Sequence, residues 1–222
     1  MERSKLIATS IAVVTGTAAA FYLYTRLTPA KAPTTGFKCK CGSVHGTISS
    51  TSALRLICYC DDCQRYATWL SSKNNIPSPV LDAHGGSDIV QVFKTDIEIS
   101  TGKETLNVSQ IEGTAETKDY KTMRVYASCC NTPLFNTTRE FPIVGVFVDA
   151  LDDKEVFGPV LLRIMAKFAR GNVEGASQEF PFSFLVRAIY RNLLSGRANP
   201  QDVPVDLRNV NEVIPKDYPA SL

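Results

Sequence analysis

The seven cysteines of this 222-residue chain fall into three tight groups. They read Cys39-Lys40-Cys41-Gly42, Cys58-Tyr59-Cys60-Asp61-Asp62-Cys63 and Cys129-Cys130-Asn131-Thr132-Pro133. An odd number in clusters this close is poor disulfide arithmetic. Residues one apart in a strand point to opposite faces, which disfavours a bridge between them. Thiolates at short spacing can instead converge on one tetrahedral ion, with each sulfur about 2.3 Å from a zinc. Gly42 permits the tight backbone turn that a metal-holding loop requires.

The middle group says most about chemistry. Its pattern puts Cys58 and Cys60 at the end of a strand, Asp61 as a helix cap and Cys63 in the first turn of a helix over 62–70. Unpaired N–H groups at a helix start favour thiolate over thiol. Three protein ligands leave one tetrahedral position open, which is the pattern of a catalytic or thiol-binding zinc. Two alternatives stand beside this reading. One is a closed structural zinc completed by a residue that spacing does not identify; the other is a redox-active thiol cluster without metal.

These groups need elements to position them. Between Phe37 and about Asp149 the pattern is short β segments separated by turn signals. It predicts strands over 44–48, 54–58, 89–93, 97–100, 105–110, 122–126 and 143–148, with turns at Gly85-Gly86, Thr101-Gly102 and Asn131-Thr132-Pro133. Thr28 to Thr35 reads as a linker. After Leu151 the spacing of Val160, Leu161, Ile164, Met165 and Phe168 predicts a helix from Pro159 to a stop at Gly171. A second helix is expected over 182–195, and an irregular tail after Asn199. The expected fold class is mainly β (α+β): an anchor at 1–31, a β domain at 32–150, and a helical hairpin with tail at 151–222.

Leu6 to Tyr24 is 19 residues without a charge, flanked by Arg3, Lys5, Arg26 and Lys31. That length can cross most of a bilayer's ~30 Å core. The expectation is a single-pass membrane anchor with the body facing the cytosol or another reducing compartment. A cleaved signal or transit peptide is the alternative, since Ala18-x-Ala20 looks like a cleavage site. The formal charge of +2 is uneven: residues 1–31 carry +3, and the remaining 20 basic and 21 acidic residues leave the body at −1. A near-neutral body argues against nucleic acid as a partner.

The three ordered groups resemble those of the glutathione-dependent formaldehyde-activating enzyme (GFA) family, which includes centromere-protein-V-like proteins. The residues that carry the resemblance are Cys39-Lys40-Cys41-Gly42-Ser43-Val44, Cys58-Tyr59-Cys60-Asp61-Asp62-Cys63-Gln64-Arg65 and Cys130-Asn131-Thr132-Pro133-Leu134-Phe135, spanning about Phe37 to Thr138. The family order is CxCG, CxCxxC, then CxxCG(T/S)PL. The resemblance implies a β-tent-like zinc fold and carbon–sulfur lyase-type chemistry in which glutathione and formaldehyde combine. It matches Cys39, Cys41 and Cys130 to a structural zinc, and Cys58, Cys60 and Cys63 to a second zinc that receives a small thiol such as glutathione. The chain departs from the motif at Ala127, where a ligand is expected, and at Asn131, where Gly is usual. The vicinal CCNTP pair places Cys129 either as the replacement structural ligand or turned toward the second zinc.

Other candidates are fewer. Arg65 is placed to hold a glutathione carboxylate or to lie on a solvated helix face. His84, before Gly85-Gly86, is a candidate fourth ligand or acid/base, and otherwise a loop residue; His45 reads as a ring in a strand, and Trp69 as core. Two functions follow. One is a membrane-anchored zinc protein acting on thiol adducts, with one or two Zn2+ ions. The other is a non-catalytic zinc scaffold that recruits a protein partner at a membrane and has two closed four-ligand sites.

Overall fold

The computed structural model describes residues 31–73, 80–113, 122–138, 141–184, 186, 205, 207 and 209–220. The expected anchor at 6–24 and most of the second expected helix lie outside them. Among the described residues no helix is long and apolar enough to cross a membrane.

Eleven strands and one full helix make up the described architecture, which is mainly β. The strands are β1 (Thr34–Lys38), β2 (His45–Ser49), β3 (Leu54–Cys58), β4 (Ser87–Phe93), β5 (Ile97–Thr101), β6 (Leu106–Ile111), β7 (Met123–Ala127), β8 (Thr132–Thr137), β9 (Ile143–Phe147), β10 (Leu162–Ile164) and β11 (Glu212–Ile214). Helix α1 spans Asp61–Ser72. A small sheet has the order β1-β2-β5, and a large one the order β10-β3-β4-β9-β8-β7-β6-β11. All pairs are antiparallel except the two at the ends of the large sheet, β10 with β3 and β11 with β6.

Period-two alternation separates the two faces of the large sheet. Val90, Val92, Val108, Val125, Val144 and Val146 pack with Phe37, Ile48, Ile97 and Ile99 of the small sheet. On the other face Leu56, Ile89, Ile111 and Phe147 pack with Tyr66, Ala67, Trp69 and Leu70 of α1. Trp69 is core, edge-on to Tyr126 at 5.8 Å. A sandwich of this kind holds β3 and β7, the strands that lead into cysteine groups, from both sides.

Several expectations need correction. The helix expected from Pro159 to Gly171 is absent. In its place stand β10, then Met165 in the left-handed region (φ 61°) and a 3₁₀ turn over Ala166–Phe168. The outer edge of β3 explains the difference, because its unpaired backbone groups are satisfied by β10 in parallel register and by Leu161 N–H donating to Arg55 O. Arg55 reinforces the junction. Its guanidinium is buried and donates to both oxygens of Asp88, to Glu155 and to the carbonyls of Lys154 and Gly158. The stretch expected as linker, Thr28 to Thr35, overlaps the first two residues of β1. The expected turn at Thr132-Pro133 is the start of β8, where Pro133 pairs with Tyr126 beside a β-bulge that excuses its missing N–H. The second helix does begin at Phe182, with 182–184 and 186 helical.

The tail is not wholly irregular, since β11 joins the large sheet. Glu212 there accepts from Lys73 at the end of α1 and from Tyr126 Oη at 2.5 Å. Burial alone would raise its carboxyl; the Lys73 ammonium and the Tyr126 hydroxyl outweigh that and hold it below the usual carboxylate value. A depressed folded-state pKa adds stability above the unfolded value of about 4.3, and this is lost as pH falls through the folded value. The stability gap between wild type and Glu212→Gln in urea denaturation is therefore expected to be constant above about pH 5 and to narrow below about pH 4. A gap unchanged down to about pH 3 would contradict the ion pair's role.

Candidate metal centres

The first centre joins two loops far apart in sequence. After β1 the chain turns back on itself: Gly42 N–H donates to Cys39 O at 2.9 Å, and Gly42 has φ 79°, a left-handed value that suits glycine. Val44 N–H donates to the Cys39 sulfur at 3.2 Å. The facing loop links β7 to β8. There Ser128 N–H donates to Thr105 O at 2.8 Å, and Asn131 takes φ 50°. Asparagine tolerates that conformation better than other residues with side chains, so it fills the position where the resembled motif carries Gly. Lys40 N–H donates to Thr132 Oγ1 at 3.0 Å and ties the two loops together.

This bending brings vicinal cysteines to one point. The sulfurs of Cys39, Cys41, Cys129 and Cys130 all lie within 4.8 Å of one another. Cys39–Cys41 is 3.5 Å, Cys39–Cys129 3.8 Å, Cys41–Cys129 3.3 Å and Cys129–Cys130 3.9 Å. Four sulfurs about 2.3 Å from a tetrahedral zinc would be separated by about 3.8 Å. The donor set and its spacing fit such an ion. Cys129 belongs to this group and not to the other; Ala127 lies within β7 and is fully buried. Hydrogen bonds with Ser43 hold the exposed Cys41 thiol down at about 6. Burial and the neighbouring sulfurs push Cys129 up to about 12.

The second centre lies where β3 enters α1. Cys58 ends β3 opposite Ser87, and Tyr59 N–H donates to Ile164 O at 3.0 Å. The helix cap is Cys60 rather than Asp61: its sulfur accepts the Cys63 N–H at 3.4 Å. The Cys60 and Cys63 sulfurs are 3.1 Å apart, and with Cys58 they form a group within 4.8 Å. No histidine or carboxylate among the described residues joins that group. The net shift of the Cys58 and Cys63 thiols is upward. Contact with neighbouring sulfurs and then burial push Cys58 up to about 12, and push Cys63 up as well. Thiols held protonated release protons on taking up a metal.

Each remaining candidate has a defined place. Arg65 is partly buried, with 14% of its side chain exposed. Its Nε donates to Tyr218 O at 2.8 Å, and its other nitrogens face Asp62 at 2.9 Å and Asp61 at 3.6 Å, so it clamps the tail to the first turn of α1. His84 belongs to neither sulfur group. Its Nδ1 donates to Arg170 O at 2.8 Å, and it lines a cavity of about 540 Å³ with Tyr59, Asp82, Arg163 and Glu174. His45 is exposed and bonded to Thr101 Oγ1 at 2.9 Å. Sequence reasoning missed Arg124 and Tyr66. Arg124 alternates with Met123 and Val125 and so looks like a solvated strand residue, yet it is 4% exposed. Only the packing of α1 over that face reveals the burial.

Cys129→Ser is expected to weaken metal retention at the first centre by at least about tenfold in competition with a chromophoric chelator, with Ser128→Ala unchanged. Equal retention by Cys129→Ser and the parent chain would remove Cys129 from the ligand set.

No curated protein matches. Among solved structures, the chain is similar to the crystal structure of a Rhodobacter sphaeroides protein, a Northeast Structural Genomics target. The identity is 20%, over 53% of this chain and 87% of that one, with a TM-score of 0.35. A family model described as a family of unknown function matches residues 32–213, which include all seven cysteines. The chain therefore belongs to that family, DUF6151.

Proposed function

We propose that the chain is a zinc protein of the kind its cysteine motifs resemble, in which a closed structural centre supports an open one that acts on a small thiol. Cys39, Cys41, Cys129 and Cys130 hold the structural ion. Cys58, Cys60 and Cys63 hold the second, with one position free for glutathione or a similar thiol. The observation that carries this reading is the asymmetry of the groups among the described residues, four sulfurs against three. It also weighs against the scaffold reading, which requires a fourth protein ligand at the second centre.

Zinc bound at the open centre would supply a positive charge that favours the thiolate of an incoming thiol. The chain's own residues do the rest. The β3 end and the first turn of α1 fix three sulfurs on rigid elements. Tyr66 and Trp69 of α1 pack with Phe147 of β9 and line that side of the centre with apolar surface. In the proposed reaction the thiol sulfur adds to the carbonyl carbon of a small aldehyde. The S–C bond forms, the C=O π pair moves to oxygen, and that oxygen takes up the proton the thiol gave up. The reverse breaks the S–C bond, which makes the class carbon–sulfur lyase. The uncharged span at 6–24 completes the proposal as a single-pass anchor, with the body in a reducing compartment that keeps the thiols free.

The test is elemental analysis combined with an assay of S–C bond turnover using glutathione and formaldehyde. The account expects two zinc ions per chain, and in Cys58→Ser one zinc and turnover reduced by at least about a hundredfold. Turnover unaffected by Cys58→Ser would remove the catalytic claim.

A further inference from the structure

The two sulfur groups differ in access. In the first, Cys41 and Cys129 are exposed, Cys130 is half-buried and Cys39 is buried. In the second, Cys58 and Cys63 are buried and Cys60 is half-buried. The two exposed sulfurs also face each other. They stand 3.3 Å apart, closer than Cys39–Cys41, Cys39–Cys129 or Cys129–Cys130. Neither residue lies in a strand: Cys41 is in the loop between β1 and β2, and Cys129 in the loop between β7 and β8. Lys40, Gly42, Ser43 and Ser128 beside them are exposed, and a Cβ built on Gly42 would meet nothing within 4 Å. A disulfide holds its sulfurs at about 2.05 Å, so this pair has to close by little more than about 1 Å.

We propose that the Cys41–Cys129 edge of the first centre is an oxidation site for a small hydroperoxide, and that the disulfide formed there displaces the ion. This rests on reading the first centre as a metal site.

Zinc holds both sulfurs as thiolates, the nucleophilic form. The Cys41 sulfur attacks the terminal peroxide oxygen. The O–O bond breaks, and the remaining oxygen takes up a solvent proton and leaves as water or an alcohol. Cys41 keeps the hydroxyl as a sulfenic acid. The Cys129 thiolate then attacks the Cys41 sulfur. The S–S bond forms, the S–O bond breaks, and the hydroxide leaves as water after taking up a second solvent proton. The sulfurs have given up an electron pair, and the peroxide has gained it. A disulfide is no longer a thiolate ligand, so the ion keeps only Cys39 and Cys130 and is released. The disulfide then joins the two loops that the ion had joined.

Distance alone would select the other centre, where the Cys60 and Cys63 sulfurs are 3.1 Å apart. Access selects the first. A ligand of the second centre meets the ion's free position, whereas an oxidant has to reach a sulfur.

Hydrogen peroxide titrated into the zinc-loaded full chain tests this. A chromophoric chelator follows zinc release, and peptide mapping after alkylation of the remaining thiols finds the disulfides. About one zinc per chain is expected to leave at least about tenfold faster than any other. The first disulfide should be Cys41–Cys129, in at least about fivefold excess over Cys60–Cys63. Dithiothreitol with added zinc should restore the ion. A first disulfide elsewhere, release without a disulfide, or no release would overturn the inference and leave both centres standing. A chain that carries no zinc at the outset overturns the metal reading and this inference together.

Discussion

The whole arrangement depends on sulfurs from distant segments meeting at the spacing of a metal tetrahedron. Cys39 and Cys41 lie about ninety residues from Cys129 and Cys130, yet their sulfurs approach to 3.3 Å and 3.8 Å. Bare thiols gain little from such crowding, as the raised Cys129 and Cys58 thiols indicate. A divalent ion converts the crowding into attraction, because each thiolate becomes a ligand. The fold brings the two ends together through β1 in the small sheet and through β7 and β8 in the large one, which share one apolar layer.

The two centres occupy opposite sides of the large sheet and differ in construction. The first is made by two loops tied by Thr132, with Cys41 and Cys129 exposed. The second is made by one continuous stretch, strand end to helix start, with Cys58 and Cys63 buried beneath α1. A surface centre with four sulfurs suits holding loops together. A buried centre with three sulfurs leaves, in the proposed function, one position for something that arrives from outside. This division of labour is what the proposed function uses.

Much of this was legible in the chain itself. Alternating apolar positions placed seven strands within about two residues, and the helix after Cys60 followed from its turn signals. The failures have physical causes. Strand β8 contains Pro133, which reads as a turn unless the bulge opposite it is known. Strand β10 carries apolar spacing compatible with a helix, and only the open edge of β3 selects the extended form. Asp61 was a reasonable cap, but a sulfur already occupied that role. Cys129 and Cys130 could not be assigned from spacing, because the left-handed turn at Asn131 decides where both side chains point.

Zinc K-edge X-ray absorption on the purified full chain, with metal content measured on the same sample, tests the central claim most directly. The account predicts two ions per chain with a sulfur-dominated shell at about 2.3 Å. Metal-free material, sulfurs paired as disulfides, or a shell dominated by nitrogen and oxygen near about 2.0 Å would contradict it.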